Sequence, residues 1–224
     1  MPVQIVPRVA DISHYNRVTD LAAAKAFGIR GIIHKASQGL TYRDEEYARR
    51  RVMAADAGLL WGAYHFNTGH DVAEQVENFL EAADPDDNTL LCLDFEDNPN
   101  SNMSIRQAAQ FIELVEQQAG RQVVLYSGNR LKTQIVKADA ATVAVIARCR
   151  FWLCQYGPTP KLRDDGGRPL PFGEAPWLWQ YTGDGKGPAP HSVPGIDIPG
   201  HPGIDVNHFF GADDELDAQW SGVA

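Results

Sequence analysis

The sequence contains no run of 18 or more apolar residues, so it offers no membrane-spanning helix. It also lacks a Lys/Arg cluster: 20 basic residues stand against 29 acidic ones, a formal net charge of −9. A nucleic-acid binder needs a basic stripe to displace condensed counterions, so that class is excluded. Cysteine is scarce. Cys92, Cys149 and Cys154 cannot form a closed disulfide set, and a chain of 224 residues buries enough surface to need none. The stretch MPVQIVPRVADISHYN has no basic n-region, apolar h-region or small-residue cleavage site. The expectation is synthesis in the cytoplasm without a signal peptide, with release by another route if the substrate lies outside.

Several chemical motifs are missing too. There is no HExxH, and His65 and His70 sit five residues apart in a loop, which is not ligand spacing. GDGKG (Gly183 to Gly187) is followed by no Lys-Ser/Thr and opens no helix, so it is no P-loop. Ser127, in YSG, lacks the first glycine of a G-x-S-x-G elbow. No metal and no cofactor are expected.

What the sequence does have is alternation. Apolar runs at Ile5–Ile12, Gly31–Lys35, Leu59–Phe66, Thr89–Glu96 and Gln122–Ser127 are each followed by a helix-period stretch. The helices are expected at Asp20–Phe27, Asp44–Ala57, Asp71–Ala83, Ser104–Ala119 and Arg130–Ala147. Gly28, Gly58 and Gly120 serve as stops, and Asp71/Glu74 and Ser104/Gln107 as capping boxes. The helices then end. Three further strands, Arg150–Tyr156, Pro176–Thr182 and Gly203–Phe209, are joined by Gly/Pro-rich loops. The fold class is therefore α/β, with strands alternating with helices in a parallel sheet. Eight strands at this length suit a TIM-like barrel, five β/α units followed by three closing strands, with a doubly wound open sheet as the alternative. One domain is expected over residues 1–224, with its core at about 5–210.

A barrel of this kind carries its active site at the C-terminal strand ends. Those ends read Asp11, Lys35, His65, Asp94 with Glu96, Tyr126, Gln155, Gln180 and Asp205. In the fourth strand, side chains alternate at period two: Leu91, Leu93 and Phe95 share one face, and Cys92, Asp94 and Glu96 the other. If the apolar face packs on helices, both carboxylates enter the barrel mouth, where crowding raises one pKa and keeps a carboxyl protonated as an acid. By spacing alone, a solvated acidic turn over Asp94 to Asp97 is as good a reading.

The segments VADISHYN, GIIHKASQG, GLLWGAYHF, LCLDFED, VVLYSG, FWLCQY, LWQYT and GIDVNHF occur in this order from about residue 8 to 210. Together they resemble glycoside hydrolase family 25, the Chalaropsis-type lysozymes. The resemblance implies a flattened barrel and an N-acetylmuramidase cutting the β-1,4 bond between N-acetylmuramic acid and N-acetylglucosamine in peptidoglycan. It implies Glu96 as general acid and Asp94 as its partner, with Asp11 and Asp205 tuning charge and hydrogen bonding. Tyr64, Tyr126 and Trp179 resemble family residues lining the saccharide groove. Lys35, Gln38, His65, Phe66, Gln155 and Gln180 complete the expected substrate-binding set. The expected partner is the peptidoglycan glycan strand, bound by a monomer. One position departs from the family pattern: where many members have Lys-Ala-Thr-Glu-Gly, this chain has Lys35-Ala36-Ser37-Gln38-Gly39. That leaves Glu96 with one acidic neighbour fewer. Two rival readings are a peptidoglycan-binding module on an inactive scaffold and a chitinase-like enzyme on plain N-acetylglucosamine polymers.

Overall fold

Period-two alternation along each strand sorts the apolar residues of this protein into two cores. The structure, a computed structural model, describes residues 4–99 and 101–222. Eight strands close into a barrel. They are β1 (Pro7–Ile12), β2 (Gly31–Gln38), β3 (Leu60–Phe66), β4 (Leu90–Asp94), β5 (Val124–Ser127), β6 (Arg150–Cys154), β7 (Leu178–Thr182) and β8 (Asp205–Phe209). Strands β1 to β7 pair in parallel with their neighbours. Strand β8 runs antiparallel to both β7 and β1 and so completes the ring.

That reversal corrects the all-parallel expectation. No helix carries the chain from the end of β7 back to the bottom of the barrel, so β8 re-enters from the mouth. Asp205 thus begins its strand rather than ending one, and its register partner is Asp11. The sequence reading named the right residue for the wrong end.

The expected helices form, with adjusted bounds: α1 (Leu21–Phe27), α2 (Tyr47–Asp56), α3 (Val72–Ala83) and α4 (Ile105–Ala119). Asp20 caps α1 through the Ala23 N–H, and Ser104 with Gln107 forms a complete capping box on α4. Asp71 caps α3 by accepting from the Glu74 N–H at 3.0 Å. The single long helix expected after β5 is two, α5 (Asn129–Ile135) and α6 (Ala140–Ala147). Asp139 causes the break, because its carboxylate takes the Thr142 N–H at 2.8 Å and starts a new helix.

The larger core lies between barrel and helices and holds Leu91, Leu93 and Phe95 together with Phe79, Phe111 and Ile112. The smaller one fills the barrel with Val9, Ile33, Leu90, Cys92, Val124 and Trp152. Its floor comes from a helix absent from the sequence reading, α7 (Asp213–Gln219). That segment shows no helical apolar period, since only Leu216 within it is buried. Just beyond it, Trp220 is 1% exposed, and its indole N–H donates to the Trp61 carbonyl at 2.7 Å. The ring lies so close to Gly31 that a Cβ there would sit 2.5 Å from it, which accounts for glycine at the start of β2. The core therefore runs on to residue 220, past the edge near 210 read from sequence.

Replacing Trp220 with alanine empties this floor and removes its hydrogen bond. Large aromatic truncations in cores cost about 3–5 kcal/mol, or roughly 6–20 °C in Tm for a domain of this size. A thermal scan of Trp220→Ala showing a loss under about 3 °C would mean that the plug carries no stability.

Candidate active site

The site is built outward from β4. The strand ends at Asp94, two residues earlier than the sequence reading placed it, yet the alternation continues through Phe95 and Glu96. Phe95 is fully buried on the helix side and anchors the segment. The backbone beyond the strand is clamped from both neighbours. The Asn67 side-chain amide donates to the Asp94 and Glu96 carbonyls, at 2.9 Å each. On the other side the Ser127 hydroxyl donates to the Phe95 carbonyl at 2.6 Å, and the Phe95 N–H to the Tyr126 carbonyl at 2.9 Å. With Phe95 turned outward and its carbonyl held, Asp94 and Glu96 face the barrel mouth. The acidic-turn alternative does not describe them.

Register places Phe66, Asp94, Tyr126 and Trp152 side by side on β3 to β6. These four, with Asp11, Tyr64, Glu96 and Asp205, enclose a cavity of about 160 Å³ at the mouth. Glu96 also lines an outer groove of about 500 Å³, with Asp97, Asn129, Arg130, Gln155 and Tyr156. Its carboxyl therefore stands between a deep pocket and an open groove, where a bond bridging two sugar subsites would lie.

Asp11 is held by neutral donors. The Asn207 amide donates to it at 2.7 Å and the Gln180 amide at 2.9 Å. The amide oxygen of Gln180 accepts from the Tyr126 hydroxyl at 2.9 Å and the Cys154 thiol at 3.1 Å, and that of Asn207 accepts the Trp152 indole N–H at 2.6 Å. Asp205 lies against Gly183: a Cβ on that glycine would be 2.2 Å from the Asp205 carboxylate and 2.3 Å from the Tyr156 hydroxyl. Only a residue without a side chain lets both groups reach the mouth there.

Burial pushes all four carboxyls upward, and like charge adds to it at Asp94, Glu96 and Asp205. Asp11 rises to about 6, chiefly through burial, with the Asn207 and Gln180 hydrogen bonds opposing. Glu96 rises to about 7 through burial and the negative field of Asp11, with a Tyr126 hydrogen bond opposing. Asp205 rises to about 9 through burial and then Asp11. Asp94 is raised well above the carboxylate range by burial and then by Glu96, against the pull of Lys35. It is 7% exposed, and its Oδ1 has no hydrogen-bond partner among the described residues. The sequence reading has Asp94 ionised beside a protonated Glu96. Burial and then the field of Glu96 favour the protonated form of Asp94, and the two neighbouring carboxyls titrate together rather than one by one.

The expected substrate-binding residues divide. Tyr64, Phe66 and Tyr126 line the deep cavity, and Gln155 lines the outer groove. Lys35 donates to Gln38 at 2.6 Å, with its ammonium over the Phe66 and Tyr42 rings. Three assignments need correction. His65 is fully buried on the helix side, stacked on Phe111 and bonded to Ser37 and Gln75. Burial lowers it to about 4, so it is a neutral core histidine. Trp179 is also fully buried on the outer face, with its indole N–H on the Gln155 carbonyl. Gln180 points inward but is 1% exposed and serves to orient Asp11. The sequence reading passed over Asn67, Tyr156 and Asn207, and it considered Ser127 only as a nucleophile. Asn207 was within reach, because it lies two residues from Asp205 and shares its face.

The fold is a closed barrel with four buried carboxyls gathered at its mouth. The chain belongs to glycosyl hydrolases family 25, whose family model matches residues 10–189. It is 25% identical to lysozyme M1 of Streptomyces globisporus over 191 residues, 79% of this chain and 62% of that protein. It spans about 62% of the length of the curated relatives it matches. Among solved structures it resembles the bacterial lysozyme from Streptomyces coelicolor, with TM-score 0.79, 24% identity, and 99% and 100% of the two chains covered. It also resembles a muramidase from Acremonium alcalophilum, with TM-score 0.75, 26% identity, and 97% and 99% covered.

The raised carboxyls carry a stability consequence. An unfolded carboxyl titrates near 4, so between there and the folded values the native state binds more protons. This contribution is complete below about pH 4 and is lost as pH rises through about 6, 7 and 9 for Asp11, Glu96 and Asp205. Buried neutral His34 and His65, both lowered to about 4, act oppositely below roughly pH 6.5. Net stability should therefore fall from about pH 6.5 to 9. Asp94→Asn should flatten that fall, melting above the parent at pH 9 and close to it at pH 4. Parallel melting curves for the two proteins across this range would show that Asp94 is not held protonated.

Proposed function

We propose that this protein is an N-acetylmuramidase that cleaves the β-1,4 bond between N-acetylmuramic acid and N-acetylglucosamine in peptidoglycan, with retention of configuration. The observation that carries the reading is the pairing at the end of β4. There, Glu96 faces the outer groove and the deep cavity, while Asp94 presents an unpartnered buried oxygen beside it. Family membership and the likeness to lysozymes and a muramidase support the same chemistry.

Glu96, held to about 7, keeps its proton at and below neutrality and donates it to the glycosidic oxygen as the C1–O bond breaks. Asp94 leaves the same short segment and so approaches the sugar from the same side, which suits it poorly as a nucleophile on the opposite ring face. Its free oxygen instead accepts the N–H of the substrate's 2-acetamido group. That hydrogen bond favours the ionised form of Asp94, against the burial that raises its pKa. The acetamido carbonyl oxygen attacks C1 to give an oxazolinium. Glu96, now a carboxylate, takes a proton from water, whose oxygen attacks C1 and reopens the ring. Asp11, fixed by two amides, supplies a negative field that helps Glu96 stay protonated.

Glu96→Gln should lower the rate of reducing-end release from cell walls by about 10²–10⁴-fold, the usual worth of a general acid. The variant should still fold and still sediment with walls. Retention of more than about a tenth of the parent rate would reassign the acid. A parent protein that sediments with walls but releases no reducing ends would be a binding module instead, and one that releases them from chitin oligomers alone would be chitinase-like. For the parent, kcat/KM should decline above about pH 7 as Glu96 ionises.

Walls whose muramic acid has been de-N-acetylated remove the internal nucleophile. They should resist cleavage almost completely, while products from acetylated wall keep the β configuration at early times by NMR. Unimpaired cleavage of the de-N-acetylated wall, or an inverted product, would sink the substrate-assisted route.

A further inference from the structure

A second cavity lies beside the outer groove, under residues 155–177 between β6 and β7, where no helix replaces the loop. It measures about 690 Å³ and is lined by Lys132, Lys161, Arg163, Leu162, Pro169 and Glu174, among others. Three cations face one carboxylate there, in a chain whose net charge is −9. Among the described residues none of the three cations makes a salt bridge. Lys132 is 8% exposed, and its ammonium donates to the neutral amide oxygen of Gln155 at 2.8 Å. Arg163 donates to the Gly167 carbonyl at 2.8 Å. The nearby acids are engaged: Asp164 holds Arg168, and Asp165 accepts the Thr133 hydroxyl.

The walls of this cavity are built. The loop folds back on itself through backbone bonds from Asp164 to Arg168 and from Leu170 to Leu162. Leu170 is buried, and Phe172 stacks on Phe151 of β6 with ring centroids 4.2 Å apart. Cations that are desolvated or preplaced without an anionic partner create a site that gains by taking one up. The cavity adjoins the groove: Gln155 lines the groove and accepts from Lys132, which lines the cavity.

We propose that this cavity is a binding site for a carboxylate-bearing peptide branch of the glycan, and that it makes the protein prefer peptide-substituted wall over bare glycan. The inference rests on the muramidase reading for its substrate. Muramic acid carries its peptide on the lactyl ether, next to the bond that Glu96 would cleave. An extended peptide gains about 3.3–3.6 Å per residue, so a few residues carry its free carboxylates along the groove wall. Lys161 and Arg163 supply the exposed cations, and Lys132, hydrogen-bonded to a neutral amide and in no salt bridge, supplies the inner one, with the charge of Asp165 acting on it from nearby. A phosphate of a wall polymer shares the anionic chemistry but has no fixed attachment beside the cleaved bond.

The test uses the double variant Lys161→Gln/Arg163→Gln, in which both substituted positions are exposed. Initial rates are compared on intact peptide-bearing wall and on the same glycan stripped of peptide by an amidase. The parent should prefer the peptide-bearing wall, and the variant should lose roughly tenfold in kcat/KM on it, the lower end for charged hydrogen bonds. On stripped glycan the variant should lose less than about twofold, and rising salt should shrink the parent's preference. In parallel, calorimetry with a free acidic stem peptide, and separately with inorganic phosphate, reads binding without catalysis. Peptide binding that the double variant weakens supports the proposal even where the parent hydrolyses neither wall, an outcome that overturns only the muramidase reading. Equal loss on both substrates, no loss on either, or binding of phosphate without the peptide would overturn the proposal.

Discussion

Four carboxyl groups in one barrel mouth repel one another, and the site is arranged around that repulsion. A site that needed only negative charge would pair its acids with arginines, as the surface does at Arg8–Asp213 and Arg17–Asp197. Such pairing lowers carboxyl pKa values and would remove the proton that an acid catalyst must carry. Here the donors offered to Asp11 are the neutral amides of Asn207 and Gln180, which fix its geometry without cancelling its field. That uncancelled field helps to hold Glu96 near 7. The cost falls on stability at alkaline pH, and it follows from the same arrangement that makes the acid.

The scaffold meets this constraint with rigidity on both sides of the acids. Phe95 is buried in the helix-side core, and Arg130 lies 5.0 Å from its ring centroid. Asn67 and Ser127 hold the carbonyls around it, so Glu96 is fixed although it lies beyond the last strand residue. At the opposite wall the reversed strand β8 brings Asp205 and Asn207 to the mouth from a segment that a parallel strand would have started at the barrel floor. Trp220 closes that floor, so the interior is a packed core with a polar cap and no through-channel.

Much of this was legible in the sequence. Strand alternation is a two-residue period, and it correctly sent Leu91, Leu93 and Phe95 outward and Cys92 and Asp94 inward. The failures have the same origin. A one-residue shift flips a side chain to the other face. His65, adjacent to an inward-facing Tyr64, was therefore assigned to a groove it does not touch, whereas Trp179, assigned by family resemblance, lies on the outer face beside an inward-facing Gln180. Register irregularities between Lys35 and Ser37 and between Val206 and Asn207 make such counting less secure at the strand ends. The direction of β8 was not legible, because strand polarity is set by the connection, and residues 183–204 carry no helical period to reveal it. The floor under Trp220 was missed for a related reason: the short helix before it is acidic through its first turn and buries a single leucine.

Gln38 shows how a departure from the family pattern fits the same electrostatics. The Lys35 ammonium donates to the Gln38 amide oxygen, so its hydrogen-bonding position is fixed while its charge stays uncancelled. That charge reaches Asp94, where it opposes burial and the field of Glu96. A glutamate at this position would form an ion pair with Lys35 and silence its field at Asp94, and it would also add a further negative charge to the mouth. Both changes would make Asp94 harder to ionise. The amide therefore leaves intact the Lys35 charge that acts on the deepest acid.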